Sequence, residues 1–179
     1  MTSRQNDPFD YLLSAPFDAE TTFARCPNAR RTLDGGVFVS HAGRDLERVR
    51  SEVEPVLSER DHMARYFLHD RRSGAPDSYV ELVHAALVLC PIFLLAASYN
   101  SVKHRWVIAE VTWAVRNRRP IIVCILDDVP MADVDSMLVP ADGSMAEQAE
   151  AIIEFVGGGE AAASQLNAAL ARFPPPPAS

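Results

Sequence analysis

The chain carries neither of the glycine-rich fingerprints that cradle phosphates: no G-x-G-x-x-G and no G-x-x-x-x-G-K-[ST] occurs in it. This removes the usual dinucleotide-fold and P-loop readings. It has only three cysteines, Cys26, Cys90 and Cys124, scattered and without C-x-x-C spacing. Neither a zinc site nor a disulfide framework is indicated, and Cys90 and Cys124 sit in apolar runs as small hydrophobes do. No apolar run approaches the roughly 20 residues that span a bilayer. The N-terminus is polar and acidic, so no signal peptide is expected. Positive charge is scarce: 17 Lys and Arg stand against 24 Asp and Glu, for a formal net charge of -7. Such a chain is a poor partner for nucleic acid, which requires phosphate neutralisation. The basic clusters Arg71-Arg72 and Lys103 to Arg105 are short, and solvated faces account for them. No internal repeat is present. The expectation is a cytoplasmic protein with no membrane and no nucleic-acid partner.

What is present is enough for one domain and a sizeable core: 179 residues, 48% of them apolar. Asp34-Gly35-Gly36 signals a turn. Val37 to Ser40 reads as a strand, and His41 to Asp45 as a loop whose Asp45 caps the next helix. Leu46, Val49, Val53, Val56 and Leu57 recur at helical spacing, with a kink expected at Pro55. A second strand follows at Arg65–His69, then a polar loop from Asp70 to Pro76. Asp77 or Ser78 can cap a helix carrying Tyr79, Leu82, Val83, Ala86 and Leu87. Pro91 to Ala96 is a third strand, apolar throughout as a strand buried on both faces should be. Ser101 to Arg118 reads as a helix stopped by Pro120, and Ile121 to Leu126 as a fourth strand. Met137 to Val139 is expected to be a short fifth strand. Met145 to Val156 reads as the last core helix. Ala161 to Phe173 reads as one more, followed by a proline-rich tail. Strand and helix alternate, which implies an α/β fold with a parallel sheet of about five strands, covered on both faces.

In such a sheet ligands bind outside the carboxyl ends of the strands. The loops 40–44, 70–76, 98–101 and 127–128 fall there. Trp106 and Glu110 lie four residues apart, so on a helix they share one face. A carboxylate beside an indole on a buried face suits acid/base or charge-stabilising work, although a surface position or an ion pair would also explain it. Ser40 and His41 are adjacent on a strand and point to opposite faces, so they do not form a nucleophile and base. Ser40 and the amides of Ala42 to Arg44 are better placed to bind a polar ligand. Asp127-Asp128 lacks the accompanying ligands a metal requires, which favours capping.

These residues, in this order, resemble the Toll/interleukin-1 receptor (TIR) domain family. Val37-Phe38-Val39-Ser40-His41 is similar to its first box. The loop from Asp70 to Pro76, with Gly74, resembles the loop after its second strand. Ser98-Tyr99-Asn100-Ser101 followed by Trp106-Val107-Ile108-Ala109-Glu110 resembles its Ser-x-x-Tyr segment and Trp-x-x-x-Glu motif. Two departures stand out: Val107 replaces the cysteine that often follows the tryptophan, and Lys103 to Arg105 stretch the gap before Trp106. The resemblance implies a flavodoxin-like, doubly wound sheet. It divides the chain into an N-terminal arm (1–34), a TIR domain (35–156), and a C-terminal helix and tail (157–179).

The resemblance also implies function. Many members cleave the nicotinamide-ribose bond of NAD+, giving nicotinamide and ADP-ribose or a cyclic isomer. Others are interaction modules that act by self-association. The enzymatic branch places its catalytic glutamate on Glu110. Its substrate-binding positions fall on Phe38, Ser40, His41, Arg44, Ser98 and Trp106. NAD+ is then the substrate, with no metal and no further cofactor. A short stand-alone member resembles the signal-producing component of a two-part bacterial anti-phage system such as Thoeris. That implies homo-oligomerisation on activation and an effector protein that senses the nucleotide product. A flavodoxin-like nucleotide N-glycosidase stays open as a third reading, because one fold supports many functions.

Overall fold

The structure, a computed structural model, describes Leu12 and residues 34–59, 66–68, 76–137, 144–156 and 159–173. Five parallel strands form one sheet in the order β2-β1-β3-β4-β5. They are β1 (Val37–Ser40), β2 (Tyr66–Leu68), β3 (Ile92–Ala97), β4 (Ile121–Ile125) and β5 (Ala149–Glu154). Every residue of β1, β3 and β4 is buried, as expected of central strands covered on both faces. The α/β class with a parallel sheet therefore holds.

The chain leaves β1 in one direction to form β2, then returns past β1 to form β3 and the strands beyond. With crossovers of one hand, reversing direction moves the connecting helices to the other face of the sheet. The core shows this division. Val37 and Val39 pack with α1 (Leu46–Glu52), α2 (Glu54–Ser58) and α7 (Gly159–Leu170). Phe38 packs on the opposite face with α3 (Pro76–Leu89) and α4 (Arg105–Arg116). Leu12 is buried in this second cluster too. The helical run expected across Pro55 is two helices, with Pro55 in the first turn of α2, where its missing N–H costs nothing.

The face beneath α3 and α4 is organised by three phenylalanines. Phe38 is in register with Phe67 on β2 and Phe93 on β3. Its ring stacks on theirs at centroid distances of 5.3 and 5.5 Å. Each such pair adds roughly 0.5–1.5 kcal/mol beyond area burial. The ladder fixes β1 between β2 and β3, and with it the direction of Ser40.

The end of the sheet differs from the sequence reading. The fifth strand is not Met137–Val139: Met137 lies in a turn after α5 (Met131–Asp135), and residues 138 and 139 are outside the described residues. The segment read as a helix from Met145 to Val156 is one short helix followed by a strand. α6 (Met145–Gln148) opens with a reciprocal capping box between Ser144 and Glu147, and Gln148 ends it. Ala149 to Glu154 then pairs with β4 as an edge strand, with a register shift at Ile121 and Ile122. Alanine and glutamate favour a helix locally, but pairing with β4 and burial of Ile153 and Phe155 prevail.

Candidate active site

The sheet order changes direction between β1 and β3, so their carboxyl ends flank the switch point where ligands bind in such folds. Ser40 ends β1, and Ser98 follows β3 directly. Two positions from Phe38, Ser40 points to the same face, toward α4. There its Oγ donates a 2.5 Å hydrogen bond to Oε2 of Glu110. Both groups are buried: Ser40 is 1% and Glu110 6% exposed. A short bond from a hydroxyl to a carboxylate is of the strong, charge-assisted kind. The Glu110 carboxylate is thus held against the end of β1 rather than free in solvent.

The helix that carries Glu110 starts later than the spacing predicts. Residues 101–103 form a 3-10 turn, His104 is extended, and α4 begins at Arg105. The break falls within the inserted Lys103 to Arg105. Trp106, in the first turn of α4, is half-buried and packs against the Phe38 cluster. It stands one turn before Glu110, on the same side of the helix. The far end of α4 closes with the N–H of Arg118 on the Val115 carbonyl and that of Arg119 on Ala114. This is a Schellman closure with Arg118 at φ 52°, and Pro120 lies just beyond it.

A second set of bonds ties the loop after β1 to the loop after β3. The sequence suggested Asp45 as a helix cap, but its side chain makes no cap bond. It instead accepts Ser98 Oγ at 2.6 Å and Asn100 Nδ2 at 2.7 Å. Ser98 Oγ in turn accepts the N–H groups of Asn100 and Ser101, at 3.1 and 3.0 Å. Ser101 Oγ closes the turn on the backbone of Ser98. Asp45 and Asn100 were not singled out as site residues. Their partners lie more than 50 positions apart in sequence, which no local pattern reports.

The remaining candidates take different places. Phe38 is inside the aromatic ladder. His41 is half-buried, with Nδ1 2.9 Å from the Ala42 carbonyl oxygen. Arg44 is exposed in a 3-10 turn at Gly43–Asp45. Ser98 is 1% exposed and lies within the Asp45 network. Asp127 accepts the backbone N–H of Tyr99 with both oxygens at 3.2 Å, and Asp128 accepts the Tyr99 hydroxyl through its carbonyl. Asp127 by its side chain and Asp128 by its backbone thus tie the loop after β4 to the loop after β3, rather than capping the helix that follows. Among the described residues no group of three or more His, Cys, Asp or Glu is placed to hold a metal. The loop 70–75, with Arg71 and Arg72, lies outside the described residues, as do Cys26 and the proline-rich tail.

A parallel five-stranded sheet with a buried serine-glutamate pair at its switch point defines an α/β protein of the doubly wound class. The comparison with family models then identifies the family. The model for the TIR domain matches residues 37–156, well over half of the chain, and the chain belongs to the TIR domain family. Neither a curated protein nor a solved structure matches it. Among the described residues, no helix is long and apolar enough to cross a membrane.

Proposed function

We propose that this protein is an NAD+ glycohydrolase or cyclase with Glu110 as its catalytic residue. The observation that carries this reading is the buried Ser40–Glu110 bond at the carboxyl end of β1. It supports a carboxylate of fixed orientation, with Trp106 one turn away to wall the site. Cleavage of the nicotinamide-ribose bond sends the bonding electron pair to nicotinamide and leaves an oxocarbenium-like ribose. A fixed carboxylate beside the ribose stabilises that charge at no reorganisation cost, as in glycoside hydrolysis. Capture of the ribose by water gives ADP-ribose, and capture by the adenine gives a cyclic isomer. Ser40, His41, Arg44 and Trp106 are the side chains proposed to meet the substrate, with Phe38 and Ser98 supporting them from within.

The resemblance to bacterial members of the family extends the proposal to an anti-phage signalling role. Self-association would activate the protein, and a separate effector would sense the product. Phage sensitivity on co-expression with the neighbouring gene tests that role, and no change in sensitivity or nucleotide pools would remove it.

The test of the activity is NAD+ turnover by purified protein at high concentration, beside Glu110→Gln. Nicotinamide release that vanishes in the variant is the expected result, and the second product separates hydrolase from cyclase. Turnover absent from both proteins, even with assembly forced by crowding, favours the interaction module. Cleavage of other nucleotides in preference to NAD+ favours the N-glycosidase.

A further inference from the structure

We infer that Asp45 is a positioning residue for the site, acting through the Ser98–Asn100 loop to set where α4 begins and so where Trp106 and Glu110 stand. The inference rests on the reading of Glu110 as catalytic, and goes beyond it by assigning a role to a residue that reaches neither Glu110 nor Ser40.

Asp45 occupies the N-cap position of α1, where a carboxylate bonded to the helix amides contributes about 1 kcal/mol. That bond is not made. The side chain is 8% exposed, and it crosses to the loop after β3. Both its oxygens are used there, one on Ser98 and one on Asn100. A buried carboxylate must be well bonded to be tolerated, and these two donors satisfy it.

The bonds continue from there into α4. Ser98 Oγ donates its only proton to Asp45 and so presents lone pairs to the N–H groups of Asn100 and Ser101. The Ser98 carbonyl accepts the N–H of Val102, and that of Ser101 accepts His104. The His104 carbonyl accepts Ile108 in the first turn of α4. The carboxylate of Asp45 sets the direction of the rotatable Ser98 hydroxyl, and the backbone N–H groups beyond it can only donate. α4 is therefore fixed to the β1 side of the switch point twice, by Asp45 at its approach and by Ser40 at Glu110. The apolar face of α4 is held by the core, so losing the Asp45 anchor bears on its first turn, where a misplacement of about 1 Å is enough to cost roughly 100-fold in rate.

Asp45→Asn tests this because it keeps shape and removes one acceptor. Its amide nitrogen then faces a donor, either Ser98 or Asn100. The double variant Asp45→Asn with Asn100→Asp restores both bonds, the one to residue 100 with its direction reversed and the one from Ser98 unchanged. We expect the single variant to fold, with kcat for NAD+ lowered about tenfold or more and KM changed less, which is the signature of lost transition-state alignment. The double variant should recover most of that loss. Amide hydrogen exchange over residues 98–106 should rise in the single variant and return toward wild type in the double. An Asp45→Asn protein with wild-type kcat overturns the inference, and so does a double variant as slow as the single. If wild type and Glu110→Gln turn over NAD+ equally, the catalytic reading fails by itself. The exchange measurement then decides the anchoring: unchanged protection in Asp45→Asn overturns it, and a loss restored by the double variant sustains it.

Discussion

Ser40 and Glu110 lie 70 positions apart and meet in a 2.5 Å hydrogen bond between the end of β1 and the middle of α4. The bond follows from two periodicities. Ser40 is two residues beyond Phe38 and faces α4, and Glu110 is one helical turn beyond Trp106 and faces β1. Each side chain would be costly to bury alone, and the bond makes their shared burial tolerable.

Ser40→Ala should therefore destabilise the protein and slow it. Removing the donor takes one short hydrogen bond from a buried carboxylate, at a cost of about 1–3 kcal/mol. Denaturant midpoints measure this directly. With the carboxylate no longer oriented, kcat for NAD+ should fall about tenfold with a smaller change in KM. A Ser40→Ala protein with full kcat would show that the bond serves stability alone.

Strands β1 to β4 and the helical segments between them are legible, though not their breaks at Val53 and His104, because their signals are local and agree. β1, β3 and β4 are short apolar runs between turn residues, and α4 carries its apolar face at helical spacing. The Trp106–Glu110 pair was legible for the same reason. What was not legible depends on tertiary partners. Ala149 to Glu154 has helix-forming composition and becomes a strand only because β4 offers an unpaired edge. Asp45 looks like a cap because a cap is defined by its neighbours, whereas its true partners arrive from β3. The Ser40–Glu110 contact lay between these cases. Strand parity gives the face of Ser40, but not that α4 covers it.

Arg118→Gly should stabilise the protein. Arg118 sits at φ 52°, in the left-handed region where a Cβ costs roughly 1–2 kcal/mol. Glycine removes that strain while keeping both Schellman bonds, and its greater freedom in the unfolded chain returns part of the gain. A net rise of about 0.5–1 kcal/mol is expected in urea or thermal unfolding. A lower midpoint would mean that the exposed Arg118 side chain contributes more than its backbone costs.

Arg119 gives a contrasting expectation at the next position. Its guanidinium lies 5.6 Å from the Trp113 ring centre and donates to the Val88 carbonyl at 2.9 Å. Val88 is in the last turn of α3, where carbonyls lack helical partners. Arg119→Lys keeps the charge and loses the planar fork that serves both contacts. A loss of about 1 kcal/mol in unfolding free energy is expected. An unchanged midpoint would show that the clasp between α3 and α4 is not a net contributor.

Burial opposes the ionisation of two cysteines, Cys90 beside this clasp and Cys124 on the opposite face of the sheet. Burial pushes the Cys90 thiol up to about 12, the nearby Arg119 only partly offsetting it. Cys124, fully buried in β4, is pushed up as well. The thiolate is the reactive form, so both cysteines should resist thiol reagents at about pH 8 in the folded protein. With Cys26 replaced by Ser, native protein should show no fast-reacting thiol, and denaturant should release two. Rapid labelling of either cysteine in native protein would show that the sheet opens locally around it.

His84 makes stability depend on mildly acidic pH. It is 6% exposed and meets the Trp113 ring edge-on at a centroid distance of 6.4 Å. Burial lowers its pKa below the ordinary value of 6.5. As pH falls through 6.5 the unfolded chain takes up a proton at this position that the folded protein refuses. The unfolded state then binds more protons, and stability falls with pH until the folded form is protonated too. Above 6.5 both states are neutral here and the effect is absent. His84→Gln removes the titration but leaves a polar group in the same place. Thermal midpoints measured between about pH 7 and about pH 5.5 should therefore fall less steeply in His84→Gln than in wild type. Equal slopes would mean that the acid sensitivity in this range comes from other groups, and that His84 is protonated as easily folded as unfolded.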